Sequence, residues 1–192
     1  MTLSGERLDV VVAEAVAGNR DALREVLEII RPIVVRYCRA RVGATERSGL
    51  SADDVAQEVC LAAITALPRY KDQGRPFLAF VYGIAAHKVA DAHRAAGRNR
   101  SEPMEIVPER HSLEAGPEQR ALDAESSARM NKLLSVLPEK QREILILRVV
   151  VGMSAEETAE AVGSTPGAVR VAQHRALARL KAEVMATGHD HA

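Results

Sequence analysis

Between Arg170 and Lys181 the chain carries Arg170, Arg175, Arg179 and Lys181, with His174 among them and no acidic residue. This is chemistry for anions and base edges. An arginine can donate two hydrogen bonds to guanine O6 and N7, or it can hold a phosphate and position a helix without reading sequence. Val171 and Ala172, in the same run, suit thymine methyl groups. Other reactive types are scattered less usefully. His87 and Asp91 stand at i and i+4 with His93 near, yet the further ligands of a metal site are missing, so polar residues on a basic helix end are the expected reading. Asp53, Asp54 and Glu58 resemble paired acids, but the first two fall in a first helical turn, where acids favour the helix dipole. There is no Gly-rich loop ending in Lys-Ser or Lys-Thr and no Gly-x-Ser-x-Gly elbow. Of six histidines, two sit in the tail His189-Asp-His191, too few elsewhere for a helical metal-dependent hydrolase. No catalytic residue, metal or cofactor is expected.

The basic run needs an element to hold it. Ser154 and Glu157 have capping-box spacing and open one helix. Ala159, Gly163 and Val169 then supply a small residue where two helices touch, a glycine for a corner of positive φ, and an apolar lock on a second helix. Thr165 and Pro166 restart the chain as N-cap and first helical residue. Together they spell a helix-turn-helix over about 155–174, whose second helix would lie in a DNA major groove.

The rest of the chain reads as helices as well. Leu23, Val26, Leu27, Ile30, Val34, Tyr37 and Cys38 follow the 3.6-residue period, with Pro32 expected to kink or divide their helix. Ser51 and Asp54 are expected to form a second capping box, ahead of the apolar stripe Val55, Val59, Ala62, Ala63 and Ala66 that Pro68 ends. A polar loop, Tyr70 to Pro76, leads to a helix that starts with Phe77, Phe80, Val81 and Ile84 and turns basic towards Arg100. Leu133, Leu134, Leu137, Ile144, Leu145 and Leu147 support the C-terminal hairpin, broken at Pro138. No run alternates with period two, so the fold class is all-α.

Charge divides the chain. Lys and Arg number 15 against 12 acids in residues 1–100, 3 against 7 in 101–131, and 8 against 7 in 132–192. The acidic middle, from about Arg98 to Gln119, collects Pro103, Pro108, Gly116 and Pro117 without a sustained apolar period, as a flexible linker does. The expected organisation is therefore two small helical domains, 1–97 and 120–192, joined by an acidic linker at 98–119. Cys38 and Cys60 have no Cys-x-x-Cys partner and lie in apolar positions, so both read as buried thiols. Met1 to Val10 is polar and charged, unlike a signal peptide, and the longest apolar run, Phe77 to Ala86, falls short of the roughly 18 to 20 residues of a membrane span. A cytoplasmic protein without membrane insertion is expected.

Three blocks in order, Leu50-Ser-Ala-Asp-Asp-Val-Ala-Gln-Glu-Val-Cys-Leu-Ala-Ala, Phe77 to Arg94, and Leu137-Pro-Glu-Lys-Gln-Arg-Glu-Ile-Leu with the helix-turn-helix behind it, resemble the extracytoplasmic-function (ECF) sigma factors of bacterial RNA polymerase. The resemblance extends from about residue 20 to 182. It implies a first domain that binds the polymerase β′ clamp and captures melted minus-10 DNA, a second that reads the minus-35 duplex and contacts the β flap, an anti-sigma factor as a further partner, and no enzyme activity. The family's Asp-x-x-Gln-Glu segment falls on Asp54, Gln57 and Glu58, with Asp53 and Val55 beside them. The Tyr70–Pro76 loop, with Lys71 and Arg75, would hold an extruded base, and His87, Lys88 and Arg94 would follow the strand. Thr165, Arg170, Val171, His174 and Arg175 would face the minus-35 element. Phe80 stands in place of a frequent Trp and is expected to pack in the core, while His87 replaces a frequent Asn. The rival reading, a stand-alone helix-turn-helix regulator, accounts for residues 132–181 and leaves the Asp53–Ala63 and Phe77–Arg94 helices without a purpose.

Overall fold

The computed structural model describes residues 3–42, 51–71, 74–99, 129–130 and 132–188. The expected linker from residue 100 onward and the His189-Asp-His191 tail lie outside them. Among the described residues every element is helical: α1 (Leu3–Val16), α2 (Arg20–Val42), α3 (Ala52–Ala66), a 3-10 turn (Leu67–Arg69), α4 (Phe77–Asn99), α5 (Glu139–Leu145), a π turn (Ile146–Val151), α6 (Ala155–Val162) and α7 (Pro166–Gly188).

Helix α2 is the spine of the first unit, packed on α1, α3 and α4. Its apolar period places Ala22, Val26, Ile30, Val34, Tyr37 and Cys38 on one buried stripe. Asn19 opens it, its Oδ1 accepting from the amides of Asp21 (3.0 Å) and Ala22 (3.2 Å). Of the kink or division expected at Pro32, the division does not occur: α2 runs unbroken from Arg20 to Val42. Pro32 and Glu28, whose carbonyl loses its i+4 donor, both lie on the exposed face, where a lost helix bond is less costly than in the core. In α3, Ser51 caps differently from the expected box: its Oγ accepts from the Asp53 amide at 3.1 Å, one residue short of Asp54. An Asp side chain is a methylene shorter than the Glu that closes a capping box. Phe77, Val81, Ala85, Val89 and Ala92 carry the buried stripe of α4. Fully burying a side chain such as Ile30 or Phe77 contributes about 1.5–3 kcal/mol.

The second unit hangs on Arg142 and Arg148. Arg142 donates to the carbonyls of Leu134 (2.9 Å), Ser135 (3.2 Å) and Leu137 (3.1 Å), joining the segment before Pro138 to α5. Arg148 donates to the Met153 carbonyl and to Gln173 Oε1, tying the π turn to α7. Gly152, with φ +88°, turns the chain out of that π turn. Ile144, Ala155, Ala159 and Val169 form a small core of their own between α5, α6 and α7. The larger core runs through both units, from Leu8 and Val26 to Ile146, Leu147 and Ala176, because α2 packs on the π turn and α4 on α6.

Candidate nucleic-acid interface

The helix-turn-helix is built as its residue types dictate. Ser154 Oγ accepts from the Glu157 amide (3.0 Å) while Glu157 Oε2 accepts from the Ser154 amide (2.6 Å), a reciprocal cap. Gly163 takes φ +60° at the corner and its amide returns to the Ala159 carbonyl. Thr165 Oγ1 accepts from the Ala168 amide at 3.2 Å and starts α7. Val169 is fully buried and Ala176 follows it two turns on, so Arg170, Val171, His174 and Arg175 are left on the exposed side of α7. Arg170 is already engaged, 2.6 Å from Glu156 Oε1 with both side chains largely in solvent. Glu156's own backbone amide and then the Arg170 guanidinium hold its carboxyl below the usual carboxylate range. The helix therefore offers an apolar patch at Val171 flanked by donors, a pattern that can read base edges or grip phosphates.

A second surface lies on α3. Asp53, Asp54, Gln57 and Glu58 are all exposed. Asp53 is pinned by Arg39 at 2.9 Å and 3.0 Å, and Glu58 Oε2 receives Lys88 Nζ at 2.9 Å. Val55 belongs elsewhere: it is 2% exposed and packs in the core, so the contacts expected of it fall to its polar neighbours. Leu61 was not singled out by sequence, yet it is 67% exposed. Its place one and two turns from Gln57 and Asp54 was the available signal. The result is an acidic and polar rim around one exposed apolar side chain, a charge pattern complementary to a basic partner surface.

The Tyr70–Pro76 loop leads into α4. Tyr70 packs on Phe77 and Phe80, ring centroids 5.2 Å and 5.1 Å away, and donates its hydroxyl to the Arg75 carbonyl at 3.0 Å. Asp72 and Gln73 fall outside the described residues. Gly74 takes φ +75° and makes the turn. Phe80, expected in the core, is half-buried under Tyr70. Lys71 and His87 are exposed. Lys88 is not a free cation: its bond to Glu58, and then that carboxylate's charge, raise its pKa. Arg94 pairs with Asp91 on the same helix, and His93 Nε2 lies 3.1 Å from the Arg41 carbonyl. Among the described residues no three His, Cys, Asp or Glu side chains gather to hold a metal.

The contacts that sequence did not foretell join the two units. Tyr37 donates its hydroxyl to Glu143 Oε1 at 2.8 Å. Arg41 Nε sits 3.1 Å from Glu143 Oε2 as an ion pair without hydrogen-bond alignment. Burial, and secondarily the Glu143 carboxylate, push the phenols of both Tyr37 and Tyr82 well above the ordinary tyrosine range, so both stay protonated donors. Behind this cluster a cleft of about 900 Å3 is lined by Tyr37, Arg41, Tyr82, His93, Glu139 and Lys140.

Residues 27–99 match the model of Sigma-70 region 2, and residues 127–180 match that of Sigma-70, region 4. A region 2 unit followed by a region 4 unit with a helix-turn-helix is thus the two-part plan of a sigma-70-type initiation factor. The ECF RNA polymerase sigma factor SigD of Mycobacterium tuberculosis (strain ATCC 25618 / H37Rv) is 79% identical over 188 residues, covering 98% of this chain and 89% of that protein. ShbA of Streptomyces griseus subsp. griseus, also an ECF RNA polymerase sigma factor, is 51% identical over 176 residues, 90% of this chain and 92% of the other. The solved structure of CnrH in complex with the cytosolic domain of CnrY superposes with a TM-score of 0.66 at 27% identity, over 92% of this chain and 96% of CnrH. The chain belongs to the ECF RNA polymerase sigma factors, which direct promoter-specific initiation of transcription. No helix among the described residues is long and apolar enough to cross a membrane.

Proposed function

We propose that the two units divide the work of one initiation factor at named residues. Residues 1–97 form the domain that docks on the β′ clamp of core polymerase and captures minus-10 DNA. Residues 98–119 are the tether, and residues 120–192 read the minus-35 duplex and meet the β flap. Asp54 and Gln57 present the docking contacts on α3, Asp53 and Glu58 frame them, and Val55 positions the helix from beneath. Tyr70, Lys71 and Arg75 hold an unstacked base at the loop, and His87, Lys88 and Arg94 follow the strand along α4. Thr165 sets the start of α7, from which Arg170, Val171, His174 and Arg175 face the minus-35 groove. The protein acts with polymerase in the cytoplasm and supplies no enzyme activity of its own. An anti-sigma factor is the expected antagonist, in keeping with the complex in which CnrH was solved.

The observation that carries this reading is the coexistence, in one chain, of the open docking face of α3 and the open basic face of α7. A stand-alone regulator has no use for the first. Competition for core polymerase tests it: Asp54→Ala with Gln57→Ala weakens binding to core and leaves the melting curve unchanged, because neither side chain is in the apolar core. Equal competition by variant and wild type removes the docking assignment.

A further inference from the structure

One acid stands against the basic face of the helix-turn-helix. Of the three glutamates of α6, Glu157 closes the cap with Ser154 and Glu160 lies 2.8 Å from Arg75 Nε. Glu156 alone turns to α7, where its Oε1 accepts from Arg170 Nη2 at 2.6 Å. Both side chains are 60% exposed, so the pair adds little to holding α6 on α7. That task falls to the buried Ala155, Ala159 and Val169 and to the Gly163 corner. Its own backbone amide, and then the guanidinium, keep the Glu156 carboxyl below the usual carboxylate range, so it stays ionised near neutral pH. An anion beside a helix that meets phosphates weakens every duplex contact by like-charge repulsion. The bond to Arg170 occupies one of the guanidinium's N–H donors and leaves a parallel pair for the O6 and N7 of a guanine. Arg175, further along α7, is exposed and has no carboxylate partner among the described residues.

We propose that Glu156 is a positioning residue for promoter reading: it holds the Arg170 fork towards a guanine edge in the minus-35 groove and away from the neighbouring phosphates. A free arginine samples many rotamers and is drawn to the nearest phosphate, a contact that carries no sequence information. A carboxylate fixed beside it offsets part of its charge and orders it before DNA arrives, so less rotamer freedom is lost on docking. The remaining donors then gain most where two acceptors are presented together, which among single base edges of the major groove is guanine. Affinity for duplex in general falls through phosphate repulsion, while discrimination rises, because specificity is a difference between affinities. Arg175 lacks such a brace, so only the position met by Arg170 depends on Glu156. The inference rests on α7 facing the minus-35 duplex and deepens that reading by naming the base sought and the residue that imposes the choice.

The test uses the full chain with core polymerase on a duplex library randomised over the minus-35 element. Wild type is compared with Glu156→Gln, Glu156→Asp, Arg170→Ala and the double variant Glu156→Gln, Arg170→Ala. Gln removes the charge and keeps the length, whereas Asp keeps the charge and is one methylene shorter. Wild type should prefer guanine at one position. Glu156→Gln should weaken that preference by up to about fivefold, the scale of one exposed ion pair, while raising affinity for unrelated duplex, most at low salt. Glu156→Asp should lose the preference without that gain. In the Arg170→Ala background Glu156→Gln should have no further effect at this position, because the two side chains act as one unit. A Glu156→Gln variant that binds all sequences more tightly with the guanine preference intact overturns the proposal, as does an Arg170→Ala variant that weakens all sequences alike. Promoter selection unchanged by Arg170→Ala would instead overturn the placement of Arg170 in the minus-35 groove, and the proposal with it.

Discussion

Replacing Gly163 tests whether the helix-turn-helix corner is set by backbone conformation alone. At φ +60° and ψ +57° the residue sits in the left-handed region, where an L side chain costs roughly 1–2 kcal/mol. A Cβ built there would meet no atom within 4 Å, so no steric term adds to that figure. Gly163→Ala should therefore destabilise by about 1–2 kcal/mol, which for a chain of this size lowers Tm by about 2–4 °C per kcal/mol. Gly163→Asn should cost less, because Asn tolerates this region through local hydrogen bonds. Gly163→Val should cost at least as much as Ala, since a β-branched side chain is least at home there. The assay is urea unfolding followed by circular dichroism at 222 nm, with duplex binding measured well below the midpoint. Binding should survive in all three, as the corner is strained and not rebuilt. A neutral Gly163→Ala, or an Asn variant as damaged as Val, would refute the argument.

Thr158 is fully buried in α6 and its hydroxyl meets no hydrogen-bond partner among the described residues, so the near-isosteric Thr158→Val should raise the unfolding free energy by about 1 kcal/mol, read as a higher urea midpoint; an unchanged or lower midpoint would reveal a hidden partner. Burial, then the nearby Cys60 thiol and Asp53, push Cys38 up to about 12. Its thiol thus stabilises the fold fully below an ordinary thiol pKa near 8.5 and progressively less as pH climbs towards 12, so the stability gap between wild type and Cys38→Ala should narrow with slope up to about 1.4 kcal/mol per pH unit. A gap that stays constant from pH 8 to 11 would contradict the shift. Arg170→Ala or Arg175→Ala should relax one minus-35 position at a cost of about 1–3 kcal/mol if a base contact is lost, or weaken all sequences alike and flatten the salt slope by about one if a phosphate contact is lost; full promoter recruitment by both variants at physiological salt would show that neither faces DNA.

What the sequence disclosed was local. The Ser154–Glu157 cap, the Gly163 corner and the Thr165-Pro166 restart lie within a few residues of one another, so their geometry follows from side-chain reach and φ preference. Periodicity likewise marked the buried face of α2. It could not say that Pro32 would fall on the solvent side with Glu28, where a broken bond is cheap, nor that Ser51 would bond Asp53 while Arg39 held the Asp53 carboxylate. The π turn at Ile146–Val151 leaves no periodic trace in a run that is apolar throughout. Least legible were the pairings over long separations. Tyr37 with Glu143 and Arg75 with Glu160 are ordinary polar residues on their own helices or loops, and only the tertiary arrangement makes partners of them. Val55 and Lys88 were placed by motif among exposed contacts, whereas burial claims the first and Glu58 engages the second.

One chain, with core polymerase, should select promoters through both faces. The most direct measurement is run-off transcription with purified core on a library randomised at the minus-10 and minus-35 elements, comparing wild type with the Asp54→Ala, Gln57→Ala double variant and with Arg175→Ala. Wild type should give transcripts from a narrow promoter set, the α3 variant should lose them on every promoter, and the α7 variant should alter selection only at the minus-35 element. Transcripts enriched for no sequence, or promoter choice unaffected by either variant, would contradict it.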